Sequence, residues 1–123
     1  MGLKYLFLIA PLGSLVALVA AWVFYKLMLK GDPGNAQMQK IALAVRRGAF
    51  AYLRQQYKIV ILFFLVIFVV FLIMAFGLNV QNKWVPFSFL TGGFFSGLAG
   101  FFGMSTATLA SNRTAQGASK SLN

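Results

Sequence analysis

Three long runs of apolar residues divide the chain, and the polar residues are gathered between and after them. The runs cover about residues 5–25, 59–78 and 85–110, and none of them contains Asp, Glu, Lys or Arg. A helix of about 20 apolar residues crosses a bilayer core of about 30 Å, so each run is long enough to span. The pattern predicts an all-α membrane protein with three transmembrane helices.

A secretory signal peptide is the alternative interpretation of the first run, because Lys4 precedes it and small alanines occur within it. The apolar stretch is longer than the 7–15 residues typical of signal peptides, which favours an uncleaved helix. Trp22 and Tyr25 stand at its far end, where interfacial aromatic residues are expected.

The segment between the first two runs opens with a turn at residues 31–35, in which Asp32 fits a helix cap and Pro33 a first helical position. No strong helix breaker follows, so we expect one long helix from about Ala36 to Leu78. Its residues 36–58 would form a basic amphipathic cytoplasmic extension of the second transmembrane helix. The basic face consists of Lys40, Arg47, Arg54 and Lys58, and the opposite apolar face of Met38, Ile41, Val45, Ala49 and Tyr52.

The basic face has two interpretations. It is a solvated face that also attracts anionic lipid headgroups, or it contacts an acidic partner or a phosphate ligand. We favour the first, because a phosphate site needs donors that converge from several elements and a single stripe does not converge.

Small residues occupy one half of the third helix at about 100° per residue. The candidate helix-packing residues are Gly92, Gly93, Ser96, Gly97, Gly100 and Gly103, with Met104 as the one large residue among them. The other half carries Phe94, Phe95, Leu98, Phe101, Phe102 and Leu109. Small residues let helix backbones approach in a membrane, so we expect the small half to pack against neighbouring helices and the large residues to point elsewhere. The second run is apolar on every face, which favours a peripheral, lipid-facing helix.

Composition excludes several kinds of chemistry. The chain is 60% apolar and 10% charged, has no Cys and no His, and has a single acid, Asp32. This excludes a Cys/His zinc site, a Ser-His-Asp triad, a pair of catalytic carboxylates and a carboxylate cage for Mg²⁺ within this chain. We therefore predict no catalytic, cofactor-binding or metal-binding residue here.

The basic residues that give the net charge of +10 have the distribution expected in a membrane protein. Seven of the eleven basic residues lie between Lys26 and Lys58. The positive-inside rule then places residues 26–58 and the C-terminus in the cytoplasm, and the N-terminus and the short hairpin outside. Because orientation accounts for the charge, we expect no nucleic-acid partner. Asn112-Arg113-Thr114 matches a glycosylation sequon, but the expected cytoplasmic location makes the match a coincidence.

Two stretches closely resemble the N-terminal region of membrane-bound, ion-translocating pyrophosphatases. The first is GNAQMQKIALAVRRGAFAYLRQQYK, in which the family pattern falls on Met38, Ile41, Val45, Gly48, Ala49, Ala51, Tyr52, Leu53, Gln56 and Tyr57. The second begins PFSFLTGGFFSGLAGFFGM, with the pattern on Gly93, Ser96, Ala99, Gly100, Phe101, Gly103 and Met104. The tail departs by one residue of spacing, because Asn112 directly precedes Arg113, Thr114 and Ala115.

The resemblance implies a parent that hydrolyses cytoplasmic pyrophosphate and exports H⁺ or Na⁺ across the cell (inner) membrane. It also implies Mg²⁺ as the parent's cofactor, with a K⁺ requirement left open, and a homodimer when full length. The family's acid-rich, lysine-bearing catalytic motifs match no position here. The leading interpretation is a fragment, the outer-ring N-terminal helices, whose partners are the parent's remaining transmembrane helices and membrane lipid. The alternative is a complete small self-associating membrane protein, such as a holin-like pore former or an accessory subunit.

Overall fold

A computed structural model of the chain describes residues 2–121 and contains three long helices. They are α1 (Gly2–Leu29), α2 (Ala36–Leu72), which continues into a π-helical turn at Ile73–Gly77, and α3 (Val85–Lys120). No strand occurs in these residues. All three helices are long and apolar enough to cross a membrane. The predicted all-α class with three transmembrane helices is confirmed. The basic amphipathic character of residues 36–58 and the exact span limits remain predictions.

The turn before α2 differs from the expectation in its capping residue. Asn35, not Asp32, is the helix cap, and its side chain accepts a hydrogen bond from the Met38 backbone N–H at 2.9 Å. Asp32 instead accepts from the Gly34 N–H at 3.0 Å within the turn. Gly34 has φ +84°, a left-handed conformation that glycine adopts without steric cost. The helix itself begins at Ala36, where the sequence predicted its start.

At its C-terminal end, α2 finishes in the π-helical turn of residues 73–77. The Leu78 N–H donates to the Ile73 carbonyl at 2.9 Å, and Gln81 Nε2 donates to the Phe71 carbonyl at 3.0 Å. Asn79 has φ 54°, which ends the helix in the left-handed region. We call residues 78–84 the hairpin and this side of the molecule the hairpin end. The other side, with residues 30–35, is the turn end.

Helices α2 and α3 run antiparallel and pack largely through aromatic rings. Phe64 stacks on Phe89 with ring centroids 4.4 Å apart, and Phe50 meets Phe101 edge-on at 5.7 Å. Helix α1 packs against α3 more than against α2. Few side chains are fully enclosed, and none of the apolar span of α1 is buried. The three helices therefore leave most of their apolar surface uncovered.

Candidate helix-packing interface and basic face

Three of the predicted packing glycines lie against α2. The Tyr57 hydroxyl donates a hydrogen bond to the Gly97 carbonyl oxygen at 2.6 Å. The same hydroxyl would lie 3.1 Å from a Cβ placed on Gly100. A Cβ on Gly93 would overlap the ring of Phe64. The missing side chains of Gly93 and Gly100 thus let two aromatic rings of α2 lie directly on the backbone of α3, whereas Gly97 takes part through its carbonyl and a Cβ there would meet no atom within 4 Å.

The other three predicted packing residues face away from this contact. A Cβ on Gly92 or on Gly103 would meet no atom within 4 Å, and Ser96 is exposed. The structure therefore brings half of the predicted set to α2 and leaves the other half open. That the open half packs against helices outside this chain stays a prediction.

The large residues of α3 also fall into two groups, those that point away from α2 and one that contacts it. Phe94 and Phe102 are 64% and 62% exposed, as expected for side chains that point away from α2. The expectation is wrong for Phe101, whose ring packs against Phe50. The reason is that α2 lies across the border between the small and the large half of α3, so it touches residues of both. The sequence of α3 alone shows where the two halves meet but not which part of the helix α2 covers.

All four residues of the predicted basic face, Lys40, Arg47, Arg54 and Lys58, are exposed. Arg46, which the periodicity left out of that face, is half-buried and lies over the Phe50 ring at 5.4 Å.

The expected apolar face of residues 36–58 is only partly the inward one. Ile41, Val45 and Tyr52 are 58%, 50% and 61% exposed, whereas Leu53 is buried at 8%. The most enclosed side chain of this segment is therefore Leu53, which was not part of the expected apolar face.

The turn before α2 is held against the last turns of α3. Asp32 pairs with Lys120 at 2.6 Å, and Asn112 Nδ2 donates to the Pro33 carbonyl at 2.7 Å. The hydrogen bond from Lys120, followed by that from the Gly34 backbone, lowers the pKa of Asp32 from 3.8 to about 2. Sequence reasoning missed this contact. The only signal was the Asn112–Ala115 block, which belonged to the family pattern without an assigned role.

Arg113 completes this docking. Its guanidinium donates to the Leu109 carbonyl at 2.7 Å, and its Cδ would lie 3.6 Å from a Cβ on Gly31. Gly31 therefore leaves room for the aliphatic part of the Arg113 side chain between the turn and α3.

Within residues 2–121, no group of three His, Cys, Asp or Glu side chains lies close enough to hold a metal ion.

Comparison with known proteins places this arrangement in a family. The family model "Inorganic H+ pyrophosphatase" matches residues 15–123. The chain is 58% identical over 118 residues to a Bacteroides thetaiotaomicron protein named "Putative K(+)-stimulated pyrophosphate-energized sodium pump", covering 96% of this chain and 16% of that protein. No solved structure matches at a significant level.

Two relatives named as proton pumps also match. A Moorella thermoacetica "K(+)-insensitive pyrophosphate-energized proton pump 2" is 37% identical over 96% of this chain and 17% of its own length. A Methanosarcina mazei "K(+)-insensitive pyrophosphate-energized proton pump" is 38% identical over 89% of this chain and 16% of its own length. The chain thus spans about one sixth of the length of these relatives. Since the family model covers most of the chain, the chain belongs to the inorganic H⁺ pyrophosphatase family.

Proposed function

We propose that the chain forms the N-terminal, outer-ring transmembrane helices of a pump that hydrolyses cytoplasmic pyrophosphate and exports H⁺ or Na⁺. One observation carries the proposal: the family match runs through residues 15–123, and the matched relatives are named as pyrophosphate-energized pumps. Three apolar helices that leave much of their surface uncovered suit a part of a larger membrane bundle.

Within that pump the role of this chain is structural. Pyrophosphate carries three or four negative charges and needs several ligands to gather Mg²⁺ around it. The chain offers one carboxylate, Asp32, which is exposed and paired with Lys120. The catalytic motifs and Mg²⁺ then belong to the rest of the parent. A K⁺ requirement is also the parent's property, since the relatives include pumps named K(+)-stimulated and K(+)-insensitive.

The proposed orientation in the cell (inner) membrane places residues 26–58 and the C-terminus in the cytoplasm and the N-terminus outside. Between residues 26 and 58 there are seven basic residues and one acid, which supports this by the positive-inside rule. The exposed basic face lies in that cytoplasmic segment, where it is solvated and attracts anionic lipid headgroups.

The open half of the small face of α3 gives the parent's other helices a place to pack. Gly92, Ser96 and Gly103 have room for a neighbouring backbone that this chain does not fill. Full-length copies then associate as a homodimer through surfaces of the complete bundle.

A chimera tests the proposal. This chain replaces the matching segment of the Bacteroides thetaiotaomicron relative, and pyrophosphate hydrolysis and Na⁺ uptake are measured in inside-out vesicles, with the intact relative as the positive control. We expect the chimera to be active, and residues 1–123 alone to hydrolyse no pyrophosphate. A chimera that inserts and stays monodisperse but is inactive, or Mg²⁺-dependent turnover by the chain alone, contradicts the proposal.

A further inference from the structure

We propose that the groove between α2 and α3 binds one anionic phospholipid of the cytoplasmic leaflet, with an acyl chain in the groove and the phosphate held by Arg54 and Lys58. The inference rests on the proposed function, because it takes the turn end as cytoplasmic and this side of the chain as the outer surface of the pump. Such a site differs from the attraction of headgroups to the whole basic face in having one position and one lipid per protomer.

The groove is an apolar slot that is open on one side. Its volume of about 520 Å³ lies within the range of about 300–1,000 Å³ that is typical of small-molecule sites. Gly97 contributes to its lining, and a Cβ there would meet no atom within 4 Å. Ile61 and Leu65 of α2 and Phe94 of α3 also line the groove, and each of them is more than half exposed. An alkyl chain therefore has both room and access.

The length of the groove corresponds to one leaflet. On α2 its lining runs from Tyr57 to Leu65, about 12 Å at a rise of about 1.5 Å per residue, and half of a bilayer core of about 30 Å is about 15 Å. The second apolar run begins directly after Lys58, so the groove starts at the cytoplasmic border of that run. Toward the hairpin end, the rings of Phe68 and Phe87 meet with centroids 6.4 Å apart and bridge the two helices. An acyl chain of one leaflet has this extent, whereas a transmembrane helix would continue along the bridged part.

The two basic residues continue the stripe of α2 that lines the groove. Arg54, Lys58, Ile61 and Leu65 are spaced by four, three and four residues, which places them on one face of the helix. Arg54 and Lys58 are exposed. Side chains on a helix point back toward its N-terminus, so both charges reach toward the turn end, on the cytoplasmic side of the groove. A lipid phosphate at these charges has its acyl chain directed into the groove.

The charge of this pair selects an anionic occupant. Asp32 is the only Asp or Glu in the chain, and it is paired with Lys120. No carboxylate side chain of this chain therefore neutralises Arg54 or Lys58. A free phosphate would need donors from several elements, but a lipid phosphate is anchored by its acyl chain, so donors from one helix are enough.

The groove lies away from the open small residues of α3. Its α3 wall consists of Phe94, Leu98 and Phe101, which belong to the large half of that helix. Bulky side chains suit contact with lipid tails and hinder the close approach of another helix. A helix of the parent or a second copy is the competing occupant, and the experiment separates them.

The test measures the lipids that the purified full-length pump retains, by native mass spectrometry in neutral detergent during titration with phosphatidylglycerol or phosphatidylcholine. We expect Arg54→Gln combined with Lys58→Gln to weaken the binding of one phosphatidylglycerol per protomer about tenfold, without a change in phosphatidylcholine binding. The matched control, Lys40→Gln combined with Arg47→Gln, removes the same charge from the same face about two turns or more farther from the groove. It should change the affinity less than about twofold. Equal effects of the two double variants, or equal binding of both lipids, would overturn the inference.

Two further measurements locate the acyl chain. Phosphatidylglycerol with a diazirine in its acyl chain is photo-crosslinked to the pump in vesicles, and we expect adducts within residues 61–65 or 94–98. Ile61→Ala should weaken retention about threefold through lost contacts. Leu62→Ala should leave retention unchanged, because Leu62 is equally exposed but does not line the groove. Adducts confined to other residues, or equal effects of the two alanine variants, contradict the site.

The remaining outcomes identify other occupants. Inorganic phosphate or pyrophosphate in excess should not displace the lipid, and displacement would indicate a free-anion site instead. A disulfide between two copies of a cysteine-free pump carrying Ile61→Cys would indicate a second copy, and a pump that retains no phosphatidylglycerol would indicate a covering helix; each overturns the inference. Hydrolysis is measured on the same preparations. An active pump without this lipid refutes the lipid site alone, and a pump that holds the lipid but does not hydrolyse pyrophosphate refutes the proposed function alone.

Discussion

The contact of Gly93 with Phe64 offers the sharpest test of the α2–α3 interface. A methyl group on Gly93 would overlap the Phe64 ring. That ring is already stacked on Phe89, with centroids 4.4 Å apart and an interplanar angle of 14°. Gly93→Ala must therefore displace Phe64 from Phe89 or push α3 away from α2.

The expected cost can be worked from these contacts. Overpacking of a close contact costs about 1–3 kcal/mol, and loss of the Phe64–Phe89 stack adds about 0.5–1.5 kcal/mol. Alanine returns up to about 1 kcal/mol through its better helix propensity. We therefore expect Gly93→Ala to lower the free energy of unfolding by about 2 kcal/mol.

A double-mutant cycle isolates the contact. The thermal stability of the detergent-solubilised full-length pump is measured for Gly93→Ala, Phe64→Leu and the double variant. The smaller leucine relieves the overlap, so the double variant should be more stable than the sum of the single effects by about 1 kcal/mol. Gly92→Ala is the control and should show no coupling to Phe64→Leu, because a Cβ on Gly92 would meet no atom within 4 Å. An equal cost of Gly93→Ala with and without Phe64→Leu would refute the reasoning.

Three further predictions concern the hydrogen bond, the turn and the topology. Tyr57→Phe removes the bond to the Gly97 carbonyl and should cost about 1 kcal/mol in the same melt; an unchanged melting temperature contradicts the bond. The pKa of Asp32 is lowered, so its pairing with Lys120 is fully formed above pH 3.8 and is lost as pH falls through about 2. An NMR titration of the Asp32 carboxyl should have its midpoint near 2 and move toward 3.8 in Lys120→Ala, whereas a wild-type midpoint at 3.8 is the contrary result. Ala44→Cys should react with an impermeant thiol reagent in inside-out vesicles only, and labelling from outside intact cells would reverse the topology.

The number of helices and most of their extent are predictable from the sequence, because long uncharged apolar runs have few alternatives. The helical continuation from residue 111 to Lys120 was not predicted. This polar segment has no apolar periodicity, and part of its support comes from the bond of Lys120 to Asp32, 88 residues earlier in the chain. Contacts between residues so distant in sequence do not appear in a local pattern.

The packing interface, too, could be predicted only in part from the sequence. Periodicity found the small half of α3, since glycines and alanines recur at helical spacing. It could not find which of those glycines touch α2, because that depends on where the rings of Tyr57 and Phe64 lie on the other helix. Phe101 was mispredicted for the same reason, because its contact with α2 depends on Phe50 lying beside it on the other helix.

Pyrophosphate-driven ion uptake tests the central claim most directly. Inside-out vesicles are prepared from cells that express the complete reading frame containing residues 1–123, and the uptake of H⁺ and of Na⁺ is followed after pyrophosphate is added with Mg²⁺. The account predicts uptake of one of the two ions, coupled to hydrolysis and abolished when the reading frame lacks residues 1–123. Vesicles that contain the inserted protein but neither hydrolyse pyrophosphate nor take up either ion would contradict it.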